Sequence, residues 1–254
     1  MEIIMKYDEL IWTSLELEKK RLLLLPVGSV EQHGLRLPFG VDSYLAEILC
    51  HMVSRKIESI VAPVISYGAR SLPNSGGGES FPGTISIRGT ALIEYYEDIV
   101  LGYLKAGFTT IVIINAHWEN EAFIQEAIER LKEKKLLEGH KVVLFSWWSV
   151  LDEKIIKRII PKFVGWKFEH AGRIEFALML HYFPKLVGEK GDIMSGDLNV
   201  NPDIYTYPIN KNIRDNYGAL SSCIGVTKKM GENLANYTER SLLSAITDIV
   251  NDDK

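Results

Sequence analysis

Cysteine is nearly absent from this sequence. Among 254 residues there are two, Cys50 and Cys223, far apart and in no CxxC pairing. That excludes zinc ribbons, cysteine-held iron–sulfur clusters and disulfide scaffolds, and leaves two buried, reduced thiols as the expectation. Long hydrophobic runs are lacking too: the longest, Leu22 to Val27, falls far short of a membrane span. Nor is there a basic run, since 29 Lys and Arg face 33 Asp and Glu for a formal charge of −4. The electrostatic footprint of a nucleic-acid binder is therefore missing. A cytoplasmic chain with neither nucleic acid nor membrane as partner is expected. No GxSxG elbow and no HExxH helix occur, so serine-hydrolase and zincin chemistry have no support. Gly76, Gly77 and Gly78 are followed by no lysine and no helical pattern opens there, which argues against a phosphate loop.

What is present fits an ordinary globular chain, 46% apolar and 24% charged, long enough to bury a core without a structural metal. Helical spacing predicts a helix over Tyr7 to Lys20, and the apolar block Leu22 to Val27 predicts a buried strand. An irregular segment from Val30 to Val41 follows. The capping residues Asp42 and Ser43 then start a predicted helix through Glu58, striped by Leu45, Ile48, Leu49, Met52 and Val53. Ile60 to Ile65 and Ile85 to Ile87 are the next predicted strands, separated by a loop rich in Gly, Pro and Ser. Thr90 to Ala106 reads as a helix, Thr110 to Ile114 as a strand buried on both faces, Asn120 to Leu137 as a helix and Lys141 to Phe145 as a strand. Further helices are predicted over Lys154 to Ile160, Glu169 to Tyr182 and Lys228 to Val250, with a mostly polar loop from Pro184 to Thr227. Strands and helices alternating at this spacing predict a three-layer α/β/α sandwich around a mostly parallel sheet, folded as one domain over 1–254.

In open parallel sheets ligands bind beyond the carboxyl ends of the strands, and the unusual polar residues fall there. After the first predicted strand come Glu31, Gln32 and His33, then Asp42; after the fourth come His117, Trp118 and Glu119. Each Glu/His pair is two residues apart, so in an extended segment both side chains point the same way. Three carboxylates and two imidazoles converging on one point would repel unless cations lie between them. Five protein ligands exceed the three of one catalytic zinc, so a dinuclear centre with a bridging carboxylate and hydroxide fits better, with zinc or manganese preferred over calcium. Taken one at a time, the same residues also fit plainer roles. Glu31 and Asp42 could be capping or surface carboxylates, and His33 and His117 hydrogen-bonded structural histidines.

The residues Leu25-Pro26-Val27-Gly28-Ser29-Val30-Glu31-Gln32-His33-Gly34, with Asp42 downstream, resemble the signature of the creatininase (creatinine amidohydrolase) family. Ser75-Gly76-Gly77-Gly78, then Phe81-Pro82-Gly83-Thr84, Asn115-Ala116-His117-Trp118-Glu119-Asn120, and Gly165-Trp166 leading to Glu169-His170-Ala171-Gly172 and Glu175 continue the likeness. So does Leu220-Ser221-Ser222, and the resemblance spans nearly the whole chain.

The resemblance implies a homohexameric α/β/α amidohydrolase with a two-metal site that opens the cyclic amide of creatinine to creatine, reversibly. Glu31 and His117 would hold one ion, His33 and Glu119 the other, and Asp42 would bridge them, with Glu119 also among the catalytic residues. His170 is similar to the family's proton-transfer residue and Glu175 to the acid that supports it. Trp148 and Trp166 resemble its substrate-pocket tryptophans, while Ser75 and Gly76 to Gly78 would contact substrate. Two positions depart from the pattern: Ser80 stands where many members have His, and Trp118 stands in the substrate pocket where creatininase commonly has Tyr. The family also includes formamide hydrolases of flavin and deazaflavin biosynthesis and a peptide-trimming enzyme. A different amide or formamide substrate, or a non-catalytic relative, are therefore the alternatives to creatinine.

Overall fold

Successive side chains of the first strand, β1 (Leu22–Val27), enter different cores, and that sets the architecture. All six residues are buried, but Leu22 and Leu24 belong to one apolar core and Leu23, Leu25 and Val27 to another. A strand with a core on each face requires a covering layer on each face. The structure, a computed structural model, describes residues 4–189, 198 and 200–251. Within them, β1 pairs in parallel with β2 (Ser59–Val61) on one side and β3 (Thr110–Asn115) on the other, and β4 (Lys141–Ser146) continues beyond β3, in the order β2-β1-β3-β4.

One face carries α2 (Val41–Ser54), α5 (Glu153–Ile159), α6 (Arg173–Tyr182) and the long α8 (Lys228–Asn251), whose Leu45, Leu49, Ile156, Ile174, Leu178, Leu234 and Leu242 pack with Leu22, Leu24, Val112 and Ile114. The other face carries α3 (Gly89–Lys105) and α4 (Asn120–Glu133), where Leu92, Tyr96, Val100, Ile124, Ala127 and Leu131 meet Leu23, Leu25, Ile111 and Ile113. These are the three layers and the parallel sheet expected from the alternation of elements.

Several boundaries differ from expectation, each for a local reason. The predicted helix Tyr7 to Lys20 breaks into 3-10 turns at Tyr7–Glu9 and Trp12–Ser14 and a single turn, α1 (Leu15–Glu18), with Ile11, Trp12 and Leu17 exposed. The strand expected over Ile60 to Ile65 stops at Val61. Pro63 has no N–H to give a ladder, and pairing resumes only as a bridge between Ile65 and Val27. Ile85 to Ile87 is no strand. Ile85 makes one bridge to Val30 and Ile87 one to Ala69, so His117 follows the third strand of the sheet rather than a fourth. Helix α4 ends at Glu133 rather than Leu137, with Lys135 at φ 57 just beyond. Helix α6 starts at Arg173 rather than Glu169 because Ala171 adopts a left-handed φ of 51 and Gly172 is extended. The expected loop Pro184 to Thr227 contains α7 (Lys211–Asp215), N-capped by the Asn210 side chain; residues 190–197 and 199 of that loop lie outside the described residues.

In this strand order the chain leaves β1 in one direction to β2 and returns on its other side at β3. The carboxyl ends of β1 and β3 thus flank a crevice, the general ligand position of such sheets. Gly28 brings the end of β1 against the start of α2: a Cβ there would lie 2.4 Å from the backbone N of Ser43 and 2.5 Å from its Cα. Gly28→Ala is expected to lower the unfolding free energy by about 1–3 kcal/mol, the usual range for overpacking. An unchanged midpoint in chemical denaturation would contradict that close approach.

Candidate metal centre and cavity

Asparagines anchor the loops that leave β1 and β3. Asn115 closes β3, donating from Nδ2 to the carbonyl of His117 at 2.7 Å and to Ser146 Oγ at 2.9 Å. Asn120 donates from Nδ2 to the carbonyl of Gly28 at 3.0 Å and accepts the N–H of Ala69 at 2.8 Å. One side chain thereby joins the end of β1, the first turn of α4 and the loop after Ile65. The loop after β1 folds back on itself, with the N–H of Glu31 donating to the carbonyl of Phe39 at 2.9 Å, which returns the chain to Asp42 in the first turn of α2.

The ligand candidates meet here, all buried. His117 Nδ1 lies 3.3 Å from Glu31 Oε2 and 3.2 Å from Asp42 Oδ2. Its Nε2 lies 3.4 Å from Glu119 Oε2 and 3.1 Å from the carbonyl of Ala69. His33 Nε2 is 3.1 Å from Asp42 Oδ1 and 3.8 Å from Glu175 Oε2, and its Nδ1 is 3.0 Å from the carbonyl of Glu31. Among the described residues, three sets of ligand atoms lie within 4.8 Å of one another: Glu31–Asp42–His117, His33–Asp42–Glu175 and Glu31–His33–His170. Asp42 thus presents one oxygen to each of two sets. Glu119 is in none of them; it stands on the far side of the His117 ring, accepting the N–H of Leu72 at 3.0 Å.

Charge is concentrated in this cluster. Burial opposes a charge on His33, but Asp42, Glu175 and Glu31 outweigh it and push its pKa up to about 10. His117 is raised in the same way by Asp42, Glu31 and Glu119. Glu31 and Asp42 are held below the usual carboxylate range, burial being overcome by His170 and His117 for the first and by His33 and His117 for the second. Burial raises Glu119. It also pushes Glu175 up to about 7 against the pull of His33, and Glu169, with Glu175 beside it, up to about 8. His170 falls to about 4 through burial and the neighbouring His33 and His117. Buried carboxylates that hold positive charge between them, with nitrogen and oxygen donors at contact distance, form a donor set suited to a divalent cation such as zinc or manganese.

A cavity opens above the cluster. Trp118, Trp147, Trp148 and Trp166 form one wall, Asn74 and Ser75 another, and Pro202, Asp203 and Tyr205 reach over from the loop before α7. Trp118 and Trp148 stack nearly parallel, ring centroids 5.9 Å apart at 3°. Trp148 and Trp166 are 6.4 Å apart at 31°, and the buried Trp147 meets both edge-on. Lys167 pairs with Asp203, and the Asn74 amide donates to the carbonyls of Asn201 and Ile204, fixing that loop over the opening. The loop contribution and Trp147 were not expected from the sequence. Gly76 to Gly78 are not among the lining residues. A Cβ on Gly76 would meet the His170 ring, one on Gly77 the Ile209 side chain and one on Gly78 Ser71. Ser71, unremarked in the sequence, donates its hydroxyl to Glu31 Oε1, as Ser29 does to Asp42 Oδ2 at 2.6 Å.

Known proteins share this arrangement of sequence and fold. Residues 8–246 match the family model described as creatinine amidohydrolase. The chain is 34% identical over 230 residues to the creatinine amidohydrolase of Pseudomonas putida, covering 89% of this chain and 88% of that one. It superposes on the crystal structure of creatinine amidohydrolase (creatininase) with a TM-score of 0.90 at 32% identity, over 96% of this chain and 97% of that one. A solved structure of manganese creatininase matches with a TM-score of 0.90 at 31% identity, over 97% and 98% of the two chains. A match that spans nearly the whole chain, in sequence and in fold, places the chain in the creatininase family, as a hydrolase acting on carbon–nitrogen bonds in cyclic amides.

Proposed function

We propose that this chain hydrolyses creatinine to creatine, reversibly, with two divalent ions per chain held in the cluster beneath the tryptophan wall. The observation that carries the proposal is the juxtaposition of a buried carboxylate–imidazole cluster with a cavity walled by indoles. Asp42, with one oxygen toward His33 and the other toward Glu31 and His117, supports a shared ligand. His33 and Asp42 would hold the second ion. The family resemblance assigns Glu119 as the acid that completes this set, while Glu175 is the carboxylate that the geometry groups with it. Ions bound there supply Lewis-acid polarisation of the amide carbonyl and lower the pKa of water.

The chain's own residues do the rest. Creatinine is flat and partly cationic, suited to an indole face. Trp148 and Trp166, both lining the cavity with ring centroids 6.4 Å apart, are the indoles that would flank creatinine. As the oxygen of water bonds to the carbonyl carbon and the ring C–N bond breaks, one proton must leave the water and one must reach the ring nitrogen. His170, beside Glu31 at the floor of the cavity, is the group that carries it. The amides of Ile174 and Glu175 donate to Glu169 Oε1 at 2.6 and 3.2 Å, and Glu175 accepts the N–H of Ala171 at 2.7 Å. These bonds fix the turn on which His170 sits.

Incubating zinc- or manganese-loaded protein with creatinine and measuring creatine is the direct test; no turnover would remove creatinine as substrate. Trp166→Ala is expected to raise KM about 2- to 30-fold, the equivalent of one lost cation–π contact. An unchanged KM would place the substrate elsewhere. We also propose a cytoplasmic homohexamer built from one domain per chain. The exposed Ile11, Trp12 and Leu17 supply apolar surface for association.

A further inference from the structure

Gln32 lies between the two candidate ligands Glu31 and His33, yet it makes contacts that neither of them makes. It is 6% exposed. Its side-chain oxygen accepts the N–H of Gly34 at 2.9 Å and its side-chain nitrogen donates to the carbonyl of Gly76 at 2.9 Å. Those two bonds fix which end of the amide is which. Its backbone N–H donates to Thr84 Oγ1 at 3.0 Å. Both its backbone carbonyl, at 2.8 Å, and its side-chain nitrogen, at 3.1 Å, meet a single atom across 138 residues of chain: His170 Nε2.

A carbonyl oxygen can only accept. At 2.8 Å an imidazole nitrogen without a proton would set lone pair against lone pair, and this contact is shorter than the 3.1 Å to the Gln32 side-chain nitrogen, a donor that already gives a hydrogen to Gly76, so the carbonyl decides and His170 Nε2 donates to it. Nδ1 is then the basic nitrogen, and it is the one that faces Glu31, 3.9 Å away, on the floor of the cavity. Two glycines with positive φ make room for this arrangement. A Cβ on Gly76 would come within 2.2 Å of the His170 ring, and a Cβ on Gly218 within 2.0 Å of the Gln32 side-chain nitrogen. Glu175 touches the same turn through the N–H of Ala171 and lies beside His33.

We propose that Gln32 is the positioning residue of His170: its carbonyl holds the ring in the Nε2–H tautomer and its side-chain amide, tied to Gly34 and Gly76, fixes the turn that carries that carbonyl, so that Nδ1 is presented to the cavity. The same tautomer is needed whether Nδ1 moves a proton or binds a cation, since a metal-bound imidazole also gives its remaining N–H to a fixed acceptor. The inference rests on the creatinine reading only for the choice of assay.

Zinc-loaded protein labelled with 15N-histidine tests it. The His170 resonances, assigned by their loss in His170→Ala, are expected to show Nε2 protonated and Nδ1 not. Gln32→Met keeps the bulk of the side chain but neither amide bond. It is expected to yield a mixture of tautomers and a kcat about 10- to 100-fold lower, the range for losing an outer-shell partner, with KM and zinc content unchanged. Gly218→Ala, which drives a Cβ into the amide from a separate loop, is expected to do the same. A wild-type His170 protonated at Nδ1, or a Gln32→Met protein with wild-type kcat, would overturn the assignment. Absence of creatinine turnover in the wild type would instead overturn the substrate, while the histidine spectrum still decides the tautomer.

Discussion

Asp42→Asn is expected to strip the protein of bound metal and to cut creatine formation by at least about 100-fold, the upper end for a residue that merely supports a ligand. The reason is specific to its place. Oδ1 faces His33 and Oδ2 faces His117, while Ser29 donates to Oδ2. An asparagine removes a negative charge from a buried site and turns one of these oxygens into an NH2 group. That group repels whatever electropositive partner the oxygen attracted. A buried charge left without its partner is costly, on the order of 3–5 kcal/mol, so the donor set loses both affinity and order. Elemental analysis after purification without chelator, alongside the creatine assay, measures the two effects. Metal content equal to that of the wild type would show that Asp42 is not a ligand.

His170→Ala is expected to lower kcat by about 10²- to 10⁴-fold, the contribution of a positioned proton-transfer group, while leaving metal content unchanged. Burial and the adjacent His33 and His117 push the His170 pKa down to about 4. The ring is therefore neutral near pH 7. The alanine variant keeps the Glu31–Asp42–His117 set intact. A parallel loss of metal would mean that the imidazole is a ligand instead, and wild-type kcat at equal metal would remove it from the chemistry.

What could be read from the sequence was what depends on near neighbours. Leu22 to Val27 is a strand to the residue because six apolar side chains stand between Arg21 and Gly28. Glu31, His33, His117 and Glu119 stand out by their spacing two apart after strands and Asp42 by standing at a helix start; the fold gathers Glu31, His33, Asp42 and His117 into candidate ligand sets and leaves Glu119 outside them. The strand expected to run to Ile65 overran because Pro63 acts on backbone pairing, which apolar patterning does not register. The placement of Glu175 beside His33, of Gln32 against His170 and of Ser71 on Glu31 was out of reach, since each joins segments far apart in the chain. The family resemblance assigns the glycines at 76 to 78 to substrate contact. Their use is visible only once His170, Ile209 and Ser71 are seen packed where a Cβ would go.

The indole wall has an optical consequence. Of the five tryptophans, Trp118, Trp147, Trp148 and Trp166 form one contiguous group, while the fifth, Trp12, is 83% exposed. Intrinsic emission therefore divides into a separate component from Trp12, set by the state of assembly, and a coupled component from the other four. A flat ligand entering between Trp148 and Trp166 alters the second and leaves the first as an internal standard. The protein thus carries, in its own side chains, a ratiometric reporter of occupancy that needs no dye and no turnover.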